Sequence, residues 1–461
     1  MFPWMHGLRP VIMLLLPVNC KSPYAGSFAA CSIRPVDESR ARGPSAGPAS
    51  LPDDTLDALV RVLNEIRLGR ARSRADLVAG TGLSRGVVAQ RVAELLGRGL
   101  IVEGDTGPST GGRPPRQLSF RADAGHVLVA DLGATSIDVA VTMLDGRVLG
   151  HADEPADIAA GPDVALERVG ELFDGLLASP LQPPGRLLGV GIGVPGPVEF
   201  RTGRPISPSI MPGWDQFPIR ERLTARFGTP VWVDNDVNVM ALGEWRSGVA
   251  AGHDNVIVVK IGTGIGAGII SDGRLHRGAQ GSAGDVGHIH VSDDRTIVCR
   301  CGNYGCLEAL AGGEAIARDA EAAARAGRTA RLASVLETRG AVSAEDVARA
   351  ASFGDPVALE LLQTAGRRVG LMLASVVNFF NPSLVVIGGG VAQGGDAVLA
   401  AIREVVYGRG LPLATRDLLV QRSSLGSLAG VIGASAMVVD QLFARETLAR
   451  LVEADEPSFM G

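Results

Sequence analysis

Four stretches of the chain join an apolar strand to a glycine-rich turn, and they constrain the fold more than any other feature. They are VLVADLGATSIDVAVTMLDGRVL (127–149), VIVVKIGTGIGAGII (256–270), PSLVVIGGGVA (382–392) and SLGSLAGVIGASAM (424–437). From about residue 125 onward such strands alternate with helical patterns, which indicates an α/β fold.

The first two stretches each form a strand, a turn and a second strand. Their turns can bring backbone N–H groups close to a phosphate, and two such hairpins can hold one nucleotide from opposite sides. Each hairpin alone is more often a structural turn than a binding site. The candidate phosphate-contacting residues are Gly133, Thr135, Gly262, Thr263 and Gly264.

Three of the five cysteines lie within the stretch IVCRCGNYGCLE (297–308). This spacing is compatible with a redox centre, a disulfide or a metal site. The other two, Cys20 and Cys31, lie near the N-terminus, and five thiols placed so unevenly do not form a disulfide framework for a chain of 461 residues.

Residues 1–52 differ in character from the rest of the chain. Arg9 precedes a short apolar run, Val11 to Val18, which resembles an export signal but is too short to span a bilayer. The run is followed by a segment rich in Arg, Gly, Pro and Ser. We interpret 1–52 as a disordered tail or a misassigned start; an export signal and a regulatory arm are the alternatives.

Residues 53–120 have the pattern of a winged helix-turn-helix. An apolar helical pattern ends near Gly69, Ser73 can cap a second helix, the turn GTG (80–82) follows, and Ser84 can cap a third helix. Two short helices joined by a glycine-containing turn are the helix-turn-helix signature. The apolar stretch LIVEGD and the basic loop after it are typical of a hairpin wing.

Charge also distinguishes this segment from the rest of the chain. The chain carries a net charge of −5, but residues 70–116 contain eight arginines and four acidic residues. A local excess of positive charge favours contact with DNA phosphates. Of the 44 basic residues only Lys21 and Lys260 are lysine, which we interpret as codon bias.

Five side chains are candidates for DNA contact. Residues at the start of a recognition helix usually read bases, and a wing arginine can enter a minor groove or hold a phosphate. The candidates are Ser84, Arg85, Gln90, Arg91 and Arg113. The alternative is a small helical docking module whose arginines are simply solvated. DNA binding places the protein in the cytoplasm, with no membrane association.

The order of these parts resembles the sugar kinase/actin/heat-shock ATPase superfold, and with the cysteine stretch it resembles the ROK family (repressors, open reading frames and sugar kinases). The resemblance covers about residues 54 to 450. It implies a two-lobed, ribonuclease H-like ATPase fold at 121–461, after a winged helix-turn-helix at 53–120.

The resemblance also implies a structural zinc site. Family members carry a histidine followed by C-x-C-G-x-x-G-C-x-E, which matches His288, Cys299, Cys301, Cys306 and Glu308 here. Three thiolates and one imidazole form a closed, tetrahedral zinc site. His290 competes as the fourth ligand, and we choose His288 by analogy with the family.

A sugar site is implied by the same residues. In the family, the metal-bound histidine, an acid three positions before it and the glutamate after the last cysteine bind sugar, which corresponds to His288, Asp285 and Glu308. The family's Asn-Asp pair corresponds to Asn235 and Asp236, in which the aspartate accepts the proton of the hydroxyl that is phosphorylated. Asp236 is therefore the candidate catalytic base if the protein is a kinase.

This chain departs from the family's kinases at several positions. Asp285 replaces the usual glutamate, and Ile210 replaces an asparagine before Trp214. Kinases of the family read Asp-x-Gly-Gly-Thr-Lys in the first hairpin, whereas here Ala134 replaces the second glycine and Ser136 the lysine. An added Cβ and a lost cation both weaken phosphate binding.

The sequence therefore predicts a sugar-responsive transcriptional regulator, most simply a repressor. It would bind operator DNA as a dimer or tetramer and hold a sugar or sugar-phosphate effector between its lobes. The alternative is an ATP-dependent sugar kinase with a DNA-binding appendage, for which ATP and Mg²⁺ would be needed. A weaker alternative is a zinc-stabilised regulator that responds to a partner protein.

Overall fold

The structure is a computed structural model that describes residues 53–106, 116–179, 183–393 and 396–453. Its N-terminal part contains three helices followed by a pair of antiparallel strands. These are α1 (Asp53–Arg67), α2 (Arg74–Thr81), α3 (Arg85–Gly97), β1 (Ile101–Thr106) and β2 (Arg116–Phe120). The three helices occur where the sequence predicted them, and β1 begins in the predicted apolar stretch LIVEGD, whereas β2 lies in the stretch that we interpreted as the basic loop.

Local sequence explains where α2 and α3 begin. Ser73 accepts a hydrogen bond from the backbone of Asp76, whose carboxylate accepts one from the backbone of Ser73, so the two form a capping box. Gly82 ends α2 in the left-handed conformation that glycine adopts most readily. The Ser84 side chain then caps α3.

The first lobe is built around a five-stranded sheet. Its elements, in chain order, are β3 (Gly125–Leu132), β4 (Ser136–Met143), β5 (Val148–Pro155), α4 (Pro162–Ala178), β6 (Arg186–Val194), β7 (Val198–Glu199), β8 (Arg204–Pro205), α5 (Ile219–Phe227) and β9 (Val231–Asn235). The short strands β7 and β8 pair only with each other, within the described residues. Helix α6 (Asp236–Ser247) follows β9 without a loop.

The second lobe contains a second five-stranded sheet and eight of the sixteen α-helices of the described residues. Its elements are β10 (Val256–Ile261), β11 (Ile265–Ser271), β12 (Arg274–Leu275), α7 (Leu307–Ala311), α8 (Gly313–Arg325), α9 (Ala330–Arg339), α10 (Ala344–Ser352), α11 (Pro356–Phe380), β13 (Leu384–Gly388), α12 (Gly390–Gln393), α13 (Asp396–Arg409), α14 (Pro412–Thr415) and β14 (Leu419–Arg422). Two final helices, α15 (Leu428–Leu442) and α16 (Arg445–Glu453), follow β14.

The two sheets have the same strand order. The first runs β5-β4-β3-β6-β9 and the second β12-β11-β10-β13-β14. In each sheet three strands form an antiparallel meander, and the last two strands lie parallel to the first. This repeated arrangement confirms the predicted two-lobed α/β fold.

The N-terminal helices share a hydrophobic core with the end of the chain. Leu59, Leu63 and Val92, from α1 and α3, belong to the same buried cluster as Met437 and Phe443. The boundary at residue 120 stays a prediction, because apolar packing continues across it. Helix α1 therefore lies against α15 and α16.

Helices α6 and α15 cross with their backbones in contact. A Cβ on Gly433 of α15 would lie 1.6 Å from the carbonyl oxygen of Val239 in α6. A Cβ on Gly243 of α6 would lie 2.0 Å from the carbonyl oxygen of Ala429. Glycine is required at both positions, because any side chain would separate the two helices.

Some of the predictions fall on residues outside those described. The interpretations of 1–52 and the predicted contact at Arg113 in the wing loop are among them. Within the described residues, no helix is both long and apolar enough to span a membrane.

Candidate functional site

A cavity of about 280 Å³ lies between the lobes, just below the range of about 300–1,000 Å³ that is usual for small-molecule pockets. Its walls come from the turns of both hairpins, the start of α6 and the loop that precedes the cysteines. The predicted residues that line it are Gly133, Thr135, Asn235, Asp236, Gly262, Thr263, Gly264, Asp285, His288 and Glu308. The structure thus brings the predicted phosphate and sugar residues into one cleft.

Asn235 and Asp236 are fixed by the start of α6. Asn235 is the N-cap, and its side-chain oxygen accepts hydrogen bonds from the backbone of Val237 and Asn238. Its amide nitrogen donates to Oδ1 of Asp236 at 3.0 Å. Asp236 is buried, with a relative exposure of 6%. The carboxylate is therefore held at a helix N-terminus, where negative charge is stabilised.

Lys260 of β10 makes the most direct contact with Asp236. Its Nζ donates to Oδ2 of Asp236 at 2.8 Å and lies 3.8 Å from Oδ2 of Asp131 at the end of β3. The Oδ1 atom of Asp131 has no hydrogen-bond partner among the described residues. One ammonium group therefore joins two buried carboxylates from the other lobe.

Burial and charge shift the pKa values of this group in defined directions. Burial raises the pKa of Asp131 to about 6, although the positive charge of Lys260 opposes the shift. Burial lowers the pKa of Lys260, but the negative charges of Asp236 and Asp131 outweigh burial and the net shift is upward. Lys260 is therefore a permanent cation in the cleft at neutral pH.

The predicted sugar-binding acids differ in their surroundings. Oε2 of Glu308 accepts a hydrogen bond from the backbone of Ile265 at 3.1 Å, and burial raises the pKa of Glu308. The side chain of Asp285 is 42% exposed, and its Oδ1 lies 3.9 Å from Nε2 of His288. Ile210 also lines the cavity, so no side-chain hydrogen bond can come from that position.

The second hairpin turn packs directly on Glu308. A Cβ on Gly264 would lie 2.2 Å from Oε2 of Glu308. Charged side chains in the cavity wall are mostly acidic, because Glu345 adds a fourth carboxylate to Asp236, Asp285 and Glu308. Lys260 is the one lysine or arginine in this wall among the described residues.

Four metal-binding side chains form a compact cluster next to the cleft. One ligand atom from each of His288, Cys299, Cys301 and Cys306 lies within 4.8 Å of all the others. Nδ1 of His288 is 3.6 Å from Sγ of Cys299, and Sγ of Cys301 is 3.7 Å from Sγ of Cys306. The three cysteines are free thiols.

The two shortest of these distances match the separations expected between ligands of one tetrahedral metal ion. Zn–S and Zn–N bonds of about 2.3 and 2.0 Å imply ligand separations of roughly 3.5–3.8 Å. His290 is outside the cluster: its ring packs edge-on against Tyr304, and its Nε2 lies 3.8 Å from Asp293. Among the described residues, His288 belongs to the cluster with the three cysteines and His290 does not.

The candidate DNA-binding residues separate into two groups. Ser84, Arg85 and Gln90 of the α3 region are exposed. Arg91 is only 5% exposed, and its guanidinium lies 2.9 Å from Glu94. Burial argues against direct contact between Arg91 and DNA, so this residue is left out of the candidate DNA-binding face.

An ion-paired group connects the cleft to the N-terminal helices. Arg246, near the end of α6, donates to Oδ2 of Asp440 at 2.5 Å, and Arg67 of α1 donates to Oδ1 at 2.7 Å. The side chain of Arg67 is 10% exposed and lies over the ring of Phe443. Helix α6 thus carries Asp236 at one end and contacts α1 through Asp440 at the other.

Comparison with known proteins identifies the family. The family model described as ROK matches residues 127–441, more than half of the chain. This chain belongs to the ROK family. The match contains both glycine-rich hairpins, the Asn235–Asp236 pair and the cysteine cluster, so the whole cleft lies in the ROK domain.

Relatives include both regulators and enzymes. The xylose repressor of Caldicellulosiruptor bescii is 32% identical over 384 residues, covering 83% of this chain and 95% of the repressor. The glucokinase of Halalkalibacterium halodurans is 33% identical over 311 residues, covering 68% and 94%. A solved ROK family transcriptional regulator, a homolog of the E. coli MLC protein, has a TM-score of 0.73 at 28% identity, covering 87% of this chain and 98% of that one.

The xylose repressor and the glucokinase match different lengths of this chain. The 384 residues matched to the xylose repressor exceed the length from Val127 to Gly461, so they include residues before the ROK domain. The 311 residues matched to the glucokinase fit within that length.

Sequence reasoning missed several residues of the site. Lys260 was interpreted only as part of a codon bias, yet it is the one lysine among the described residues and lies in the cleft. Its rarity in an arginine-rich chain was the available signal. Glu345 and Asp440 carried no signal, because their neighbours are distant in sequence.

Proposed function

We propose that this ROK protein is a sugar-responsive transcriptional repressor. The observation that carries the proposal is the match to a xylose repressor, which extends through the cleft domain into the residues before it. The α3 region exposes Ser84, Arg85 and Gln90, as a recognition helix requires.

The DNA-binding face is formed by the start of α3. Arg85 is suited to guanine and Gln90 to adenine, because each can make two hydrogen bonds to its base. Several positions between and beside them are small, including Gly86 and Ala89, and a small face allows close approach to the groove. Two copies of the chain would read the two halves of an operator, as a dimer or tetramer.

The effector site is the cleft. Asn235, Asp236, Asp285, His288 and Glu308 place amide, imidazole and carboxylate groups around a cavity that suits a monosaccharide. Such groups hold a sugar through its hydroxyls. Four carboxylates against one lysine favour an uncharged sugar over a sugar phosphate, because like charges repel in a partly buried site.

The metal ion is zinc on this proposal, held by His288, Cys299, Cys301 and Cys306. Thiolate and imidazole ligands in a closed set of four suit Zn²⁺ in a structural role. The ion would supply no chemistry beyond ligation. It fixes the loop that carries Asp285 and positions the ring of His288 at the cleft.

The sugar-binding cleft and the DNA-binding face are coupled through α6. A sugar that contacts Asp236 at one end of α6 shifts the helix, and Arg246 transmits the shift to Asp440 and Arg67 at the other end. The equilibrium between DNA-binding and DNA-releasing states would then depend on the sugar, and sugar affinity would depend equally on DNA.

The test combines DNA selection with sugar titration. Zinc-loaded full-length protein is used to select a binding site from random duplexes, and its affinity is measured by fluorescence anisotropy with D-xylose, D-glucose or no sugar. We expect one sugar to change the DNA affinity by roughly 5- to 150-fold. Specific binding that no sugar in a wider panel of monosaccharides alters would contradict the proposal.

Matched variants identify the DNA-binding face. Arg85→Ala should weaken binding to the selected site by about 1–3 kcal/mol. Arg325→Ala removes the same charge from an exposed position on α8 of the second lobe and should have little effect. Equal losses in the two variants would indicate a general charge effect and exclude specific reading by Arg85.

A sugar kinase is the second candidate. Asp236 lines the cleft at a helix N-terminus, as a base for a sugar hydroxyl would, and both hairpin turns line the same cavity. The 33% identity to a glucokinase over the cleft domain supports this candidate. Sugar phosphate formed from ATP and Mg²⁺ by wild-type protein, and lost in Asp236→Asn, would establish it.

A further inference from the structure

Lys260 occupies an unusual position in the cleft. It lies on β10 of the second lobe, whereas its two partners belong to the first lobe: Asp131 lies near the end of β3, and Asp236 begins α6 directly after β9. The ion-paired group therefore crosses the cleft. Its three members come from separate parts of the chain and meet only because of the two-lobed fold.

The carboxylates alone form an arrangement suited to a different cation. Asp131 and Asp236 are 8% and 6% exposed, and both place an Oδ2 atom within 4 Å of one point, the Nζ of Lys260. Hard divalent ions such as Mg²⁺ take oxygen ligands and are commonly bound in proteins through one or two carboxylates. Buried Oδ1 of Asp131 has no partner in the described part of the chain.

Residue choice supports a specific role for the ammonium group. Of the 44 basic residues, 42 are arginine, yet this position holds a lysine. Lysine carries a compact charge with three donors, whereas the planar guanidinium of arginine needs more space and a fixed direction. A compact cation is what the gap between two convergent carboxylates can accept.

We propose that the ammonium of Lys260 is the fixed cation of the effector cleft, which takes the place of a divalent metal ion and holds Asp236 in position for a sugar hydroxyl. Lys260 is thus a positioning residue. It joins both carboxylates and offsets one of their two negative charges without metal or nucleotide, so sugar binding by the wild-type protein does not depend on Mg²⁺. This inference rests on the proposed function, because it takes Asp236 as the sugar-binding carboxylate.

The test is metal binding, since a purely structural lysine would not influence it. Zinc-loaded full-length protein is titrated with Mn²⁺, and free Mn²⁺ is followed by electron paramagnetic resonance. Lys260→Met should bind one more Mn²⁺ per chain than wild type, and the double variant Lys260→Met/Asp131→Asn should lose that ion again. Lys260→Gln, which keeps an N–H donor, is the second variant in case methionine prevents folding.

Arg277→Met is the matched control. Nε of Arg277 donates to buried Asp234 at 2.7 Å, so this variant also releases a buried carboxylate near the cleft, but not Asp131 or Asp236. It should bind no additional Mn²⁺. An extra ion in Arg277→Met, the same ion in wild type, or no extra ion in folded Lys260 variants would each overturn the inference.

A sugar titration completes the experiment. In wild type, affinity for D-xylose or D-glucose should be the same with and without Mg²⁺, whereas in Lys260→Met it should fall about 10- to 100-fold and recover in part when Mg²⁺ is added. Dependence of the wild type on Mg²⁺ would overturn the inference. Failure of sugar to affect DNA binding would instead contradict the proposed function, so the two failures are distinguishable.

Discussion

Arg67 of α1 donates a 2.7 Å hydrogen bond to Asp440 of α15, and its largely buried side chain lies over the ring of Phe443. The other oxygen of the same carboxylate accepts a hydrogen bond from Arg246 of α6. Two arginines, one from α1 and one from α6, therefore share one acidic partner. A change in either ion pair therefore also changes the interaction of Asp440 with the other arginine.

Asp440→Asn should uncouple the two proposed binding sites. The amide keeps the shape of the side chain but removes the charge that holds both arginines, and the free energy of unfolding should fall by about 1–3 kcal/mol. We expect separate DNA and sugar binding to persist while the sugar-dependent change in DNA affinity disappears. Anisotropy measurements with and without sugar test this.

Asp57→Asn provides the control for Asp440→Asn. Asp57 of α1 accepts a hydrogen bond from Arg445 of α16 at 2.7 Å, but both side chains are about half exposed, at 56% and 45%. Such a surface pair contributes little. Its loss should leave the sugar response intact; loss of the response in both variants would mean that general loosening of α1, and not Asp440, is responsible.

His288 and His290 should differ in their effect on metal content. His288→Ala and Cys301→Ser remove a member of the four-ligand cluster and should lose zinc and the sugar response, while weak, non-specific DNA binding remains. His290→Ala removes a ring that contacts Tyr304 and should keep one zinc per chain. Elemental analysis decides, and a zinc-free His290→Ala with a zinc-loaded His288→Ala would reverse the assignment.

Asp131 should make stability depend on pH between about 4 and 6. Burial raises the pKa of Asp131 from 3.8 to about 6. The positive charge of Lys260 opposes this rise, and the negative charges of Asp236 and Asp138 add a smaller upward shift. In this window the folded protein holds a proton that the unfolded chain has released, so the free energy of unfolding falls as pH rises. The total change is at most about 3 kcal/mol.

Comparison with Asp131→Asn isolates this contribution. The amide does not titrate, so the difference in unfolding free energy between wild type and variant should change across the window and stay constant above it. Urea denaturation at several pH values measures both curves. A difference that is independent of pH from 4 to 7 would show that the carboxyl group is ionised throughout.

Gly433→Ala should strongly destabilise the fold. The new Cβ would lie 1.6 Å from the carbonyl oxygen of Val239, and backbone cannot move aside as a flexible side chain can. We expect a loss of about 3 kcal/mol or more. Gly175→Ala is the control, since this exposed glycine of α4 has no atom within 4 Å of an added Cβ, and there the change should stabilise by about 0.5–1 kcal/mol. Thermal unfolding measures both.

Local patterns predicted most of the fold. The caps at Ser73 and Ser84 and the glycine-rich hairpins are short-range features, and the structure has each of them at the predicted residues. The four side chains that the family resemblance implied as metal ligands lie close together in the structure. Asn235 and Asp236 were also placed correctly at the end of a strand, because the residues after a parallel strand are confined to one edge of its sheet.

Long-range contacts could not be predicted in the same way. Arg67 and Asp440 are 373 positions apart, and Lys260 meets Asp131 only through the meeting of two lobes. Arg91 was predicted to be exposed from helical periodicity, but it is buried. Helix α3 packs against α1, α2 and β1, so a larger part of its surface is covered than one apolar stripe suggests. Both the long-range ion pairs and the burial of Arg91 depend on how the elements pack together, which local sequence does not determine.

The glycine contacts between α6 and α15 have a mechanical consequence. Where helices meet through long side chains, a small displacement of one is absorbed by changes of rotamer and does not reach the other. At Gly243 and Gly433 the two backbones touch, and no rotamers lie between them. The crossing is therefore stiff: a translation of α6 at the cleft reaches α15 almost undiminished, and with it the carboxylate that holds Arg67.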